Sequence, residues 1–537
     1  MKVAILDGYV DEPSCLGVPP YIAPYPRYIY GMLKYLKIEP DYYTIDLYRQ
    51  NKKTREKLNN FDLVIVIAGI AVPGKYLGGN PLSLKELYTL SFKKSILVGP
   101  IILELTKKDQ KNLEYLGYEV IDFPFERKLF EYLINSIKHE AKFDLDKFAV
   151  LGSEVVKKHP EFPFLICEIE SYRGCYWRKC SFCIERIHGK PKMRGPKAVL
   201  AEIESLYKVG IRHFRLGRQT DFLTYMADFN YETPKPNAEF MENFHREIWR
   251  RCPKIKVLHL DNINPKTIAE HPKESEKIIK TIIIHQTPGN VAAMGLESAD
   301  DKVIRQNKLA ADVDEVKFAI RLVNKHGRLV GYNGLPYFLP GINFVIGLKG
   351  ETKETFEKNF EFLKEIMDEG LLLRRINIRQ VKIFSNTPMQ KVGYKNVNKH
   401  KRFFKSFKRR VREEIDKSML KRLVPIGRKL TDLRCEDRDD KITYARQLAT
   451  YPLLVGVVGE YEKNTFLDVK VVDYGMRSIT AIEALNINSA KLWQLEFLPI
   501  SKKLVTRIIL NRPYKSIEDV KKVLKDDFSK IKDFIYV

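Results

Sequence analysis

An α/β protein centred on a partial parallel barrel is the fold class this sequence predicts, with a doubly wound module before the barrel and a small β-barrel and helical tail after it. Three observations predict it. Up to about residue 390, short apolar runs alternate with helix-length amphipathic segments, the pattern of parallel strands joined by crossover helices. Beyond that point the composition turns basic, then β-rich with turn residues, then helical again. The chain has 537 residues, of which 44% are hydrophobic, enough for several separate cores.

Residues 1–140 form the first module. Val3–Asp7, Phe61–Ala68, Ser95–Val98 and Tyr118–Asp122 are its strand candidates, and Tyr28–Leu36 and Leu82–Leu90 its helices. The order predicts a Rossmann-like sheet, whose ligands sit beyond the carboxyl ends of the strands, here at the Asp7-Gly8-Tyr9 loop. Met1-Lys-Val-Ala-Ile-Leu reads as a first strand rather than a signal peptide, and no run of 18 apolar residues occurs. A cytoplasmic protein with no membrane partner is expected. After a Lys-rich connector, 138–158, the barrel spans residues 160–390. Its strands are Phe164–Ile169, His213–Leu216, Lys256–Leu260, Val291–Gly295, Ile342–Ile346 and Ile376–Ile383, a partial (β/α)6 barrel. Its active site belongs at the carboxyl ends of those strands, where Gln219, Asp261, Asn262, Asn264, Glu297, Ser298 and Gln380 fall.

The chemistry concentrates just after the first barrel strand, in Gly174-Cys-Tyr-Trp-Arg-Lys-Cys-Ser-Phe-Cys183. Three thiolates at C-x4-C-x2-C can hold three irons of a [4Fe–4S] cluster and leave the fourth open to a substrate or cofactor. Phe182 between the last two cysteines can shield such a cluster from water. A structural zinc site completed by His188 is the competing reading of the spacing, and a redox C-x-x-C pair would leave Cys175 unexplained. Spacing alone leaves iron–sulfur and zinc both open. The other cysteines, Cys15, Cys167, Cys252 and Cys435, are scattered and make no disulfide framework. Cys167, inside an apolar strand, reads as a small buried hydrophobe.

What surrounds the cysteines resembles the radical S-adenosylmethionine (SAM) superfamily. Gly-Cys-x4-Cys-Ser-Phe-Cys followed by the amphipathic segment 198–209 and the strand His213–Leu216 is similar to the start of its barrel. Met294-Gly-Leu-Glu-Ser-Ala-Asp300 with Lys302-Val-Ile-Arg305 resembles its fourth strand and following helix, and Asn343-Phe-Val-Ile-Gly347 with Gly350-Glu-Thr352 its fifth. The resemblance implies Cys175, Cys180 and Cys183 as cluster ligands and Phe182, Gly217, Gln219, Glu297, Ser298 and Arg305 around SAM, with Arg305 on the methionine carboxylate. Where many members have Gly-Gly-Glu after the second strand, this chain has Gly217-Arg218-Gln219, a departure that tRNA methylthiotransferases share in having a Gly-Gln pair nearby. It further implies a reductant such as ferredoxin or flavodoxin, reductive cleavage of SAM to methionine and a 5′-deoxyadenosyl radical, and hydrogen abstraction from a substrate. The first module resembles the cobalamin-binding domain that precedes many such barrels. It lacks Asp-x-His-x-x-Gly, its first histidine being His139, so cobalamin stays open.

A net charge of +25, with 93 basic against 68 acidic residues, calls for a polyanionic partner. Much of it falls in residues 391–430, a basic helical linker. There Lys399, Lys401, Arg402, Lys405 and Lys408-Arg-Arg410 can face phosphates while Phe403, Phe404 and Phe407 dock the helix. Residues 441–483, with strands Leu453–Val458, Thr465–Val472 and Ser478–Ile482, resemble a TRAM domain, a small RNA-binding β-barrel. Residues 484–537 resemble helix–hairpin–helix units, although Ser501 stands where the second hairpin glycine is usual. These features together predict a radical SAM enzyme that modifies a nucleotide in RNA, with tRNA the expected substrate. Methylthiotransferases share the barrel-plus-TRAM order, but their first domain supplies three further cysteines; here it holds only Cys15, so sulfur insertion by that route is not expected. The alternatives are a cobalamin-dependent radical SAM methyltransferase acting on a protein or small molecule, and a non-enzymatic nucleic-acid-binding protein with a structural metal.

Overall fold

The computed structural model describes all residues except 13–14, 71–78 and 139, together with the side chains of all but Glu12 and Cys15 among the rest. The expectations that rest on the Cys15 side chain and on His139 therefore lie outside the described residues. The first module contains β1 (Val3–Asp7), β2 (Tyr21–Ile22), β3 (Pro40–Thr44), β4 (Leu63–Ile67), β5 (Ser95–Val98) and β6 (Tyr118–Val120). Five of them form one parallel sheet in the order β3-β1-β4-β5-β6. β3 escapes the sequence pattern because it is an edge strand of half-polar sequence, Pro-Asp-Tyr-Tyr-Thr, opening on proline. The helix expected over Leu82–Leu90 is a single turn, Leu84–Leu87. A Ser83/Glu86 capping box starts it, and a tight Thr89 N–H to Glu86 carbonyl bond closes it.

β2 does not join that sheet. It pairs in parallel with the first barrel strand, Tyr21 opposite Ile166 and Ile22 opposite Cys167, so the first module extends the barrel by one strand. The chain returns through helix α1 (Pro24–Tyr35), which carries Arg27 into the seam. Arg27 is fully buried, paired with Glu202 at 2.7 Å, and Glu202 also holds Arg194 at 2.5 Å. Burial raises the Glu202 carboxyl and the two arginines more than reverse that, leaving it below the usual carboxylate range. Removing Glu202 would strand the fully buried Arg27, which has no other carboxylate partner among the described residues. Hydrophobic residues of β1, α1 and the barrel belong to one continuous core.

The barrel strands are β7 (Ile166–Glu170), β8 (His213–Gly217), β9 (Val257–Leu260), β10 (Asn290–Glu297), β11 (Phe338–Ile346) and β12 (Arg375–Gln380). They run parallel in two sheets, β9-β8-β7-β2 and β10-β11-β12, linked by the bridge between Asn262 and Ala293. The sixth strand differs from expectation: it starts at Arg375 and ends at Gln380, which is exposed. Its alternation puts Ile376 and Ile378 toward the surrounding core and Arg375, Asn377 and Arg379 toward the barrel interior.

Five antiparallel and parallel strands then close a small barrel in the order β13-β14-β15-β17-β16: β13 (Lys429–Asp439), β14 (Ile442–Gln447), β15 (Leu454–Val458), β16 (Phe466–Tyr474) and β17 (Ser478–Ile482). It begins at Lys429, ahead of the expected start at 441. β13 hides in the sequence because an irregularity between Leu430 and Leu433 breaks its period of two, and its outer face is charged. The tail packs helices Lys502–Leu510 and Ile517–Leu524 on a core shared with Val458, Val472 and Ile482 of the small barrel. No helix among the described residues is long and apolar enough to cross a membrane.

Candidate functional site

Three loops meet beyond the carboxyl ends of the barrel strands. The first runs from Gly174 to Cys183. Gly174 sits at φ +97°, and a Cβ there would lie 2.7 Å from the Lys190 carbonyl and 2.8 Å from that of Gly189, so only glycine fits. The loop is pinned at three points: Trp177 Nε1 donates to the Lys308 carbonyl at 2.8 Å, Ser181 Oγ to Asn307 Oδ1 at 2.7 Å, and the Met389 amide to the Ser181 carbonyl at 3.0 Å. Phe182 packs against Val303, Leu348, Val381 and Met389 and presents its other side to the central cavity.

Cys175, Cys180 and Cys183 are half-exposed free thiols within electrostatic reach of one another. Burial pushes each thiol up, and for Cys180 and Cys183 the other thiols and Glu297 add to that. The loop by itself thus disfavours thiolates, and a cationic group held between the three would relieve both effects. Among the described residues no three His, Cys, Asp or Glu side chains gather closely enough around one ion. His188, the candidate fourth zinc ligand, is bonded to Arg218 at 2.9 Å and set edge-on against Phe123, with burial holding its pKa down at about 4. Three free thiols on one loop are a donor set that suits a [4Fe–4S] cubane with one iron left open.

The remaining sequence-predicted residues divide. Glu297, at φ +57° on the bulge that ends β10, reaches the cavity. It makes no hydrogen bond or ion pair among the described residues, and burial raises its carboxyl to about 8. Ser298 is buried and its Oγ accepts at 3.2 Å from the amide of Asp300, the residue that caps the next helix. Gln219 is fully buried between Ser171 and the Leu216 carbonyl. Gly217 makes room for Glu168, whose Oε1 would lie 2.0 Å from any Cβ there. Arg305 is exposed on its helix, outside the cavity wall. Asp261 ion-pairs with Arg215 at 2.5 Å and accepts from Tyr451 at 2.7 Å, while Asn264 caps the helix at Pro265.

The cavity itself has a volume of about 360 Å³. Barrel strands form its floor and sides, and both flanking modules close it: Asp11 and the 16–21 segment from the first, Arg446 and the Thr450-Tyr451-Pro452 turn from the small barrel. Arg215, Arg375 and Arg379 line it, none of which the sequence reading selected. The signal was present in Arg375-Ile-Asn-Ile-Arg379, where polar residues at every second position mark an inward face if the strand is recognised as enclosing a site. Arg218, also unselected, is fully buried and ion-paired with Glu185 at 3.0 Å, bracing the 3-10 turn that follows Cys183.

A second surface lies on the helix α2 (Lys401–Arg410). Phe407 is buried, and Phe403 and Phe407 pack on Phe356 with ring centroids 5.9 Å apart, docking one face. Lys399, Lys401, Arg402, Lys405 and Arg409 line an open cleft on the other, are exposed, and have no carboxylate partner among the described residues.

Comparison with known proteins bears on all of this. Residues 169–363 match the radical SAM superfamily. The chain is 63% identical over 500 residues to an uncharacterized protein of Archaeoglobus fulgidus, covering 93% of each. It is 24% identical to the ribosomal protein uS12 methylthiotransferase RimO of Thermoanaerobacter sp., over 62% of this chain and 68% of that one. A tRNA-2-methylthio-N(6)-dimethylallyladenosine synthase of Buchnera aphidicola is 26% identical, over 62% and 74%. Among solved structures, the cobalamin-dependent S-adenosylmethionine radical enzyme OxsB shares the fold at a TM-score of 0.52 and 13% identity, over 75% of this chain and 61% of that one.

Proposed function

Starting from a chain that carries a radical SAM superfamily domain and belongs to one family with its A. fulgidus relative, we propose that it cleaves SAM reductively at a [4Fe–4S] cluster and thereby modifies a nucleotide in RNA. The superfamily uses that cluster and SAM, and when bound the cluster supplies the electron that breaks a carbon–sulfur bond of SAM. Cys175, Cys180 and Cys183 would hold three irons. Phe182 excludes water from that end of the cavity, and Glu297, unpartnered among the described residues and facing inward, offers a hydrogen bond to a ribose hydroxyl. Gln219, Gly217 and Ser298 act on this reading through the loops they brace, and Arg305 meets a methionine carboxylate only if its helix face turns inward.

One observation carries the RNA assignment. The small barrel supplies part of the cavity wall through Arg446 and the Thr450–Pro452 turn, so a substrate held by that barrel is already at the site. Its closed five-strand form suits the TRAM reading, and the exposed cations of α2 offer phosphates an approach. The likeness to a tRNA methylthio synthase supports the same substrate class. A corrinoid stays open as a second cofactor, the fold being shared with the cobalamin-dependent OxsB, and no step is routed through one. The test is anaerobic turnover of the reduced, iron-loaded chain with and without total tRNA. RNA-stimulated 5′-deoxyadenosine formation is expected; formation indifferent to RNA but stimulated by a cell extract freed of nucleic acid would overturn the RNA assignment.

A further inference from the structure

Four arginines line the cavity, and two of them lack a carboxylate partner among the described residues. Arg215 is matched twice, by Glu168 at 3.0 Å and Asp261 at 2.5 Å, and Arg446 by Glu436 at 2.7 Å. Arg375 and Arg379 are different. Neither makes an ion pair among the described residues; Arg379 donates only to Asn377 Oδ1 at 3.4 Å, and the Arg375 guanidinium lies over the Tyr451 ring at 4.0 Å from its centroid. Both come from alternate positions of β12, so both point to the same side of one strand. Asp11, buried on the opposite wall, feels Arg379, Arg375 and Arg215, yet burial dominates and lifts its carboxyl to about 6.

We infer that Arg375 and Arg379 form a phosphate subsite, so that the substrate enters the barrel with a phosphate group seated on β12 and its reactive part toward Phe182. Arginine suits the task because its planar fork binds a phosphate through two parallel bonds, and stacking on Tyr451 fixes one fork in advance. Tyr451 is itself held, its hydroxyl donating to Asp261 at 2.7 Å and its carbonyl accepting from Arg374 at 2.9 Å. A volume of about 360 Å³ admits a single nucleotide-sized group rather than a folded surface. The phosphate is either the diester of an RNA strand or the monoester of a free phosphorylated molecule. This deepens the proposed function by naming what the pocket grips, and it is separable from it.

Calorimetric titration of the full-length chain tests it with three probes: a uridylyl-uridine dinucleotide, uridine 5′-monophosphate and uridine. Wild type is expected to bind at least one phosphorylated probe about tenfold or more tightly than uridine, each charged hydrogen bond counting for roughly a factor of ten. The Arg375→Gln/Arg379→Gln pair should erase that preference, and Arg375→Lys/Arg379→Lys should keep part of it. Inorganic phosphate should displace the bound probe from wild type, a measurement that stands even where the glutamine pair fails to fold. Preference for the dinucleotide identifies the diester; preference for the monophosphate keeps the subsite and contradicts the RNA assignment. Equal binding of uridine, failure of phosphate to compete, or loss of SAM binding in the glutamine pair as large as the loss of phosphate would each overturn the subsite.

Discussion

Two sets of parallel strands in this molecule end in loops rich in glycine and polar residues, and they treat the space beyond their carboxyl ends differently. At the carboxyl ends of β1 and β4, Gly8 donates to the Ile67 carbonyl at 2.8 Å and accepts from Leu82 at 2.7 Å, while Gly69 donates to Tyr9 at 3.1 Å. Asp7 is sealed beneath them, accepting from Tyr42 at 2.7 Å and the Tyr9 amide at 2.9 Å. Beside them a cleft of about 470 Å³ opens along Tyr9, Thr44 and Asp46. At the carboxyl ends of the barrel strands, one loop carries three thiols, while Phe182, Glu297 and the strand arginines Arg215, Arg375 and Arg379 line a cavity. Topology says where a crevice will lie; the segment that follows each strand decides whether it stays open.

The largest expected effect tests the open end. Cys175→Ser, Cys180→Ser and Cys183→Ser should each abolish reductive SAM cleavage, a loss of about a thousandfold or more, as measured by 5′-deoxyadenosine. Asp7→Asn at the filled end should leave it within about twofold; equal losses at both ends would erase the distinction between them. Next comes the seam between the two. A Cβ at Gly152 would lie 1.8 Å from the Arg27 carbonyl, so Gly152→Ala must force α1 away from the connector turn at Gly152–Lys158, at a cost of about 3 kcal/mol or more. A denaturation midpoint unchanged by that substitution would show that the modules are not bound through this close approach.

The filled end makes a prediction of its own sign. Burial raises the Asp7 carboxyl to about 6 from 3.8, so the folded state holds its proton more tightly than the unfolded one. Stability from this group is therefore full below pH about 4 and is lost as pH rises through about 6, a difference on the order of 3 kcal/mol. Asp7→Asn should raise the thermal midpoint at pH 7 and leave it unchanged at pH 4. The smallest effect concerns delivery. Replacing Lys401, Arg402, Lys405 and Arg409 by Gln should lower the salt slope of RNA binding by about 3, roughly 0.7 for each phosphate that α2 no longer neutralises. An unchanged slope would remove α2 from the RNA path.

Much of this was legible in the sequence. The cysteine loop, the parallel alternation and the basic, aromatic-striped helix show themselves because each is a local pattern of a few residues. β3 and β13 did not, since a half-polar edge strand and a bulged, charged strand both break the period of two. The arginines of β12 were missed for a different reason. Their strand was registered from Ile376, which turns attention to the apolar face, and an inward polar face has meaning only once a cavity is known to lie behind it. Ser298 and Gln219 show the converse: residues matching a pattern whose side chains the folded chain commits to its own backbone and neighbours.

The most direct test is spectroscopic. The full chain, reconstituted anaerobically with iron and sulfide and reduced, should hold about four irons. It should give an electron paramagnetic resonance signal that changes when SAM is added, and alanine at Cys175, Cys180 or Cys183 should remove both. Stoichiometric zinc in place of iron, or a cluster signal indifferent to SAM, would contradict the account.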